Sequence, residues 1–440
     1  MKFVNVKLEN DQFIAATGHD FHVLFLRLLL KIDHLLFSEI FCIFTAKTNR
    51  SQSIKKSMKR TIFVVLMIAI FIACKKNNIE EFDYPVLSVD ITRMNPPSLF
   101  DIFRKIEIIP LETTDSSLIG GMAANTVFFN NHYYILDGLS ESFYCFDEYG
   151  KFVKKIANEG QGPQEYFHAG DFVINESANT AELLSPFGYL YVFELSGKFA
   201  DKIALPVPKY YHEIAVLNDS LRILLTKSAH HNEDQLYVYS TRSNIIVNSF
   251  YREDFASFNF NPRYLYQYND NVYYYKPLIS KVFKIDQHGY EVAYSWDFGA
   301  LNPENTKLNK SEIDYPSGNN TNERLFKMVM NGQIKGIYNI QYQNDKYYYT
   351  LFNRSVNSQI LRTNVFYNKR DHKTFVFEKF KDGFVFFPFF WCDDYVLATS
   401  ASSSSSSKAI DPSILDEENA KKLNELKEED NPFIIKYYFK

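Results

Sequence analysis

The chain has 440 residues, 48 of them basic and 52 acidic, and a formal net charge of −4. Charges of both signs are mixed along it, which excludes the clustered basic surface a nucleic-acid partner would need. Aromatic residues make up 17%, with 41 Phe and 31 Tyr against only 16 Gly and 15 Pro. That balance excludes a low-complexity chain and leaves either two or three ordinary domains or one large domain built from repeats.

The first informative segment is MKRTIFVVLMIAIFIACKK, residues 58–76. Met58, Lys59 and Arg60 form a basic start, Thr61 to Ala73 an apolar run, and Ala73–Cys74 a small residue followed by cysteine. The run is short for a bilayer span but fits the core of a secretory signal. Ala-Cys at its end resembles the lipobox of bacterial lipoproteins, which implies a signal peptide over 58–74 and acylation of Cys74 as the mature N-terminus. Phe71 stands where such boxes usually carry Leu, and a plain signal peptide or signal anchor is the other reading. Two acyl chains would anchor the protein where one would not.

Residues 1–57 read as a mis-called extension ahead of a start at Met58, since a targeting segment belongs at the beginning of a protein. The alternative is a membrane hairpin made of FHVLFLRLLL and LLFSEIFCIF. Residues 75–104 read as a linker and N-terminal arm. Of the four cysteines, Cys42, Cys74, Cys145 and Cys392, only the last two would remain unmodified in a mature chain. A single distant pair is no disulfide framework, and without a CxxC no structural zinc site is expected.

From residue 105 the pattern is all-β. The strand KIEIIPLE (105–112) comes first, and from 123 short runs of Val, Ile, Tyr and Phe alternate with turn residues. Three hairpins share a layout: FYCFDEYGKFVKKI (143–156), LYVFELSGKFADKI (190–203) and SKVFKIDQHGYEVAY (280–294). In each an acid precedes a glycine by three positions: Asp147 and Gly150, Glu194 and Gly197, Asp286 and Gly289. The acid is expected to accept turn N–H bonds and the glycine to supply positive φ. Gly150 and Gly197 lie 47 residues apart, and Gly289 follows after a further 92, with Asn244 standing in near the missing midpoint. A period in the middle forties with four strands per unit is the mark of a propeller blade.

The expected fold is therefore a six-bladed β-propeller of four-stranded antiparallel blades over 105–440. Blades are placed at about 123–158, 171–206, 211–252, 263–299 and 336–380, with the last from 383. A helical insertion interrupts at about 303–333 and a polar, solvated helix follows at about 415–428. The unpaired early strand and the last strand, NPFIIKYYFK, are expected to close the last blade together, because an open sheet edge is a liability.

Between the first two blades lies GQGPQEYFHAGDF (160–172). A phosphate-binding loop would lead into a helix whose N-terminus faces the ligand, yet this one leads into a strand. It reads as a corner, sharply turned by Gly160, Gly162 and Pro163 and pinned by Glu165 and Tyr166.

The chain from about Ile79 onward resembles the 6-bladed β-propeller lipoproteins of Gram-negative bacteria with glycan-oriented outer membranes, and more distantly NHL-repeat propellers. IEIIPLETTDSSLIG (106–120), YYILDGLSESFYCFDEYGKFVKKI (133–156), GQGPQEY and EEDNPFIIKYYF (428–439) carry the likeness. Gln164 stands where such proteins often have Gly. The resemblance implies the fold and a cell-envelope address, but no activity.

No HExxH, GxSxG or P-loop is present, and no cofactor is expected. Adjacent His230 and His231 point to opposite faces if extended, and so do Asp393 and Asp394, so neither pair reads as a site and the two aspartates read as turn residues. Most aromatics read as packing between blades, and Trp296 and Trp391 are the candidates for stacking on a sugar. No catalytic residue recurs at matched inner-strand positions. The functional expectation is a ligand-binding or scaffold module for a glycan, a peptide or an outer-membrane transporter partner; the alternative is a hydrolase or lyase acting on a glycan or lactone-like substrate.

Overall fold

The computed structural model describes residues 83–120, 123–157, 159–162, 164–226, 233–252, 263–305, 321–357, 359–399 and 410–440. The extension, the signal segment with Cys74, and Pro163, His230, His231 and the serine run 402–407 lie outside the described residues.

The chain enters through β1 (Val86–Ser88), a short helix α1 (Leu99–Ile102) and β2 (Phe103–Pro110). Blade I is β3 (Ala123–Phe129), β4 (His132–Asp137), β5 (Phe143–Asp147) and β6 (Phe152–Ala157). Blade II is β7 (Asp171–Asn175), β8 (Thr180–Ser185), β9 (Tyr189–Glu194) and β10 (Phe199–Ala204). Blade III is β11 (Tyr211–Asn218), β12 (Leu221–Thr226), β13 (Asp234–Ser240) and β14 (Ile245–Arg252). Blade IV is β15 (Leu265–Tyr268), β16 (Asn271–Lys276), β17 (Ile279–Ile285) and β18 (Tyr290–Asp297). Helix α2 (Thr321–Met330) precedes blade V: β19 (Gly336–Gln343), β20 (Tyr347–Val356), β21 (Gln359–Asn368) and β22 (Thr374–Phe377). Blade VI has β23 (Pro388–Trp391) and β24 (Tyr395–Thr399), then helix α3 (Glu417–Glu425) and β25 (Phe433–Phe439). Its fourth strand is β2, so the order β23-β24-β25-β2 joins the two ends of the ring, as expected. The fold is a six-bladed β-propeller.

The outer edges of the last three blades are covered. β1 adds a parallel fifth strand to β18 of blade IV. Asn95 then clips the edge of blade V: its N–H and Nδ2 donate to the Val376 and Thr374 carbonyls, and its Oδ1 accepts from Val376 N at 2.6 Å. At blade VI, helix α3 lies on β2, where the buried Asn419 accepts from Ile108 N at 2.7 Å. The described part of the N-terminal arm, from β1 to Asn95, is thus tied down, and the helix expected to be merely solvated seals an edge. Unpaired edges invite pairing with other chains, and covering them guards against it.

Aromatic residues fill the spaces between blades. Trp296, only 1% exposed, sits among Tyr294, Phe298, Tyr338 and Phe352, and its indole donates to Gln341 Oε1 at 2.9 Å. A buried ion pair joins blades II and III: Arg222 grips Glu182 through Nε and Nη2, both at 2.7 Å.

The hairpin acids and glycines divide. Gly150 (φ 83°) and Gly197 (φ 97°) are left-handed, and Asn244 (φ 52°) takes the same role in blade III. Gly289 has no positive φ, contrary to expectation: Asp286 closes that turn, its N–H donating to the Gly289 carbonyl at 3.0 Å and its Oδ1 accepting from His288 N and Gly289 N at 2.7 and 2.9 Å. Asp147 also accepts from turn N–H groups, of Tyr149 and Lys151. Glu194, one methylene longer, instead takes the Ser196 hydroxyl and the Lys198 ammonium.

Gly150 is further constrained by the closing blade, because a Cβ there would lie 2.1 Å from the Pro110 carbonyl oxygen. Gly150→Ala is expected to destabilise by about 2–3 kcal/mol, whereas Gly289→Ala, with open space around it, should be neutral or stabilising by up to about 1 kcal/mol. Urea unfolding of the two variants checks the contrast.

Candidate functional site

The first strand of each blade lines the central axis, and together they enclose a cavity of about 360 Å³. That volume lies within the range of small-molecule sites. Blade I contributes Thr126 to Phe128, blade II Phe172 to Ile174 with Glu176, and blade III Ala215. Blade IV contributes Leu265 to Asp270, blade V Tyr342 and Gln343, and blade VI Phe389 to Asp393. Alternation along the strands gives the cavity a mixed wall, with Phe128, Leu265 and Phe390 beside the amides of Gln267, Asn269 and Gln343. Gln343 is held in place by Lys369, which donates to its Oε1 at 2.9 Å, while its Nε2 donates to the Tyr266 hydroxyl at 3.2 Å. Lys369 itself lies 4.5 Å from the Tyr268 ring centroid and 4.3 Å from that of Tyr348, and its burial pulls the ammonium down to about 8.

Arg263 reaches the cavity from a polar cluster around the axis. Its Nη1 donates to Asn125 Oδ1 at 2.6 Å, and its Nη2 lies 3.5 Å from Asp171 Oδ2. Asn125 also donates to Asp171. The cluster stitches successive blades together. Asn125 donates to the Phe172 carbonyl at 3.1 Å, Asp171 accepts from Ile214 N at 2.9 Å, and Glu213 accepts from Tyr264 N and Leu265 N at 2.8 Å.

A polar role does recur on the inner strands, as a link from each blade to the next. Asn125, Asp171 and Glu213 occupy inner-strand positions 46 and 42 residues apart, close to the blade period. Their spacing was a usable signal. It was hidden because an amide, a short acid and a longer acid fill one structural role.

Trp296 does not reach any surface, and its place in the inter-blade core removes it as a stacking platform. Trp391 borders the cavity but is only 5% exposed, with its ring stacked on Tyr342 and Tyr349 at 5.7 and 4.9 Å. Asp393 stands at the cavity rim and accepts from Asp345 N at 2.9 Å, and the Asp394 carbonyl accepts from Phe439 N. Cys145 and Cys392 are free thiols. The 160–166 segment is a corner from β6 to β7: Gly160 N donates to the Tyr166 carbonyl at 2.9 Å, and Gly162 N to Glu165 Oε2 at 2.7 Å. Tyr166 is fully buried, and its hydroxyl donates to the Glu141 carbonyl. Among the described residues one group, Glu141, Glu159 and His168, has the donor set for a metal ion, and it lies outside the cavity lining.

The residues from 85 to 438 match the family described as "Domain of unknown function (DUF4934)". The chain belongs to the DUF4934 family. In structure this DUF4934 chain is similar to a "Putative exported protein" from Bacteroides fragilis NCTC 9343, with a TM-score of 0.64, 18% identity, and coverage of 81% of this chain and 99% of that one. A member of the DUF4221 family from Bacteroides vulgatus aligns at a TM-score of 0.46 and 11% identity, over 77% of this chain and 97% of that one. No protein of curated function matches in sequence. Among the described residues no helix is long and apolar enough to cross a membrane.

The axial cluster gives stability a pH dependence. Burial pushes the Glu213 carboxyl from 4.5 up to about 8, with the Asp171 charge adding to the rise and Arg263 opposing it. A carboxyl that binds its proton more tightly when folded contributes stability in full below about pH 4.5, and loses it as pH rises towards 8. The unfolding midpoint should therefore fall across that window, and Glu213→Gln should flatten the fall. Thermal unfolding at a series of pH values checks both.

Proposed function

We propose that this protein is a lipid-anchored, extracytoplasmic binding module whose axial cavity takes the end of a glycan chain. The observation that carries the reading is the mixed cavity wall, to which all six blades contribute. Amides and carboxylates such as Gln267, Asn269 and Asp270 can donate to and accept from hydroxyl groups, while Phe128 and Phe390 offer apolar surface to the C–H faces of a sugar ring. The buried acids Asp171 and Glu213 are occupied in joining blades, which favours binding over hydrolysis or lyase chemistry.

The address rests on the signal segment ending at Cys74, and the exported name of the B. fragilis structure agrees with it. Cys74→Ser is expected to abolish incorporation of labelled palmitate and release the protein from the membrane fraction. Labelling that persists in this variant would remove the anchor.

Binding is tested by titrating the purified protein with oligosaccharide and peptide arrays while following each ligand for product. The expected result is saturable oligosaccharide binding without turnover, weakened about 3–10-fold by Gln267→Ala or Asp270→Asn, each removing or altering one exposed polar contact. Binding of peptides alone, or turnover of any ligand, would overturn the reading.

A further inference from the structure

A second site lies at the corner between blades I and II, before β7 and outside the cavity lining. Glu141 belongs to the turn between β4 and β5, and Glu159 and His168 bracket the 160–166 corner. One ligand atom from each lies within 4.8 Å of the others. His168 Nδ1 contacts Glu141 Oε1 and lies 3.5 Å from Glu159 Oε1. Among the described residues no lysine or arginine pairs with either carboxylate, and Glu141 Oε2 is buried with no hydrogen-bond partner.

Both ion pairs converge on the same nitrogen. An Nδ1 carries at most one proton and can satisfy one of these carboxylates, not both. A divalent cation would bind the imidazole and both carboxylates at once and balance their charge. Bonds of about 2.0–2.2 Å to nitrogen and oxygen set tetrahedral ligand atoms about 3.3–3.6 Å apart, and the three ligand atoms here already lie within 4.8 Å of one another. From this geometry we infer that Glu141, Glu159 and His168 form a site for a zinc-type divalent cation.

The surrounding structure holds the ligands in place. Tyr166 anchors the Glu141 carbonyl through its hydroxyl, and its own carbonyl accepts from Gly160 N, beside Glu159. The His168 ring stacks on Phe187 at 5.8 Å with an interplanar angle of 11°. Ligands held by such hydrogen bonds and ring contacts lose little freedom on binding metal. The Glu159 and His168 side chains are 41% and 45% exposed, so the ion would face solvent. Three protein ligands leave a tetrahedral position for water or for a ligand oxygen. Beside it stand the exposed, mutually stacked rings of Phe167 and Phe187.

The test is calorimetric titration of tag-free protein, stripped with EDTA, using zinc, manganese and calcium chlorides separately. One equivalent of zinc per chain is expected to bind and raise the unfolding temperature. His168→Ala should weaken binding at least ten-fold. Glu159→Gln, at an exposed carboxylate, should do the same without lowering the metal-free unfolding temperature. Absence of saturable zinc binding, or undiminished affinity in both variants, would overturn the site. Preference for calcium or manganese would overturn its zinc-type assignment.

Discussion

A propeller is stable only if its ring closes, and here closure is the pairing of β2 with β25 in blade VI. The pairing runs from Phe103 opposite Phe439 to Pro110 opposite Phe433, bringing together residues more than three hundred positions apart. It is reinforced where the two chain ends pass each other. Asn431, buried, donates through Nδ2 to the Glu112 and Ser117 carbonyls and accepts from Ile119 N, so one amide fixes the segment that leads from β2 into blade I. The Glu112 side chain and N–H in turn bond to Phe152 N and the Gly150 carbonyl of blade I. The seam is thus continuous from the last blade to the first. Gly150 is glycine partly because the closing strand passes directly against it.

Closure also explains where polar residues are spent. Strands directed at a common axis crowd their backbone groups, and those groups need partners when buried. Asn125, Asp171 and Glu213 meet that need by bonding to the next blade, and Arg263 offsets the negative charge this places on the axis. Space remains beyond them, toward the far ends of the inner strands, and this space is the cavity. Its walls are set by which side of each inner strand faces the axis, and its depth by where the polar cluster fills the channel.

Much of the fold was legible in the sequence because blade geometry is local. A hairpin with an acid and a glycine three residues on announces two strands and a turn, and its return at a steady interval announces blades. The interval held even where the glycine was replaced, since Asn244 tolerates the left-handed backbone. The reading weakened where one local role can be filled in several ways. Gly289 takes no positive φ because Asp286 closes its turn, and Glu194 is too long to copy Asp147. Edge protection was less legible still: β1, Asn95 and Asn419 act on strands hundreds of residues away or across the ring.

By itself the sequence determined the architecture, the number of blades and the meeting of the two ends, because strand period, turn chemistry and repeat length are properties of neighbouring residues. It also set the expectation that GQGPQEY turns between blades, since a strand rather than a helix follows it. Only the tertiary structure decided which side chains share a site. Trp296 and Trp391 look alike in sequence, yet one is enclosed between blades and the other borders the cavity. Glu141, Glu159 and His168 carry no recognisable spacing, and they converge because a turn of blade I folds against the corner that Tyr166 anchors. Burial and convergence depend on contacts between blades, and a one-dimensional pattern contains no record of those contacts.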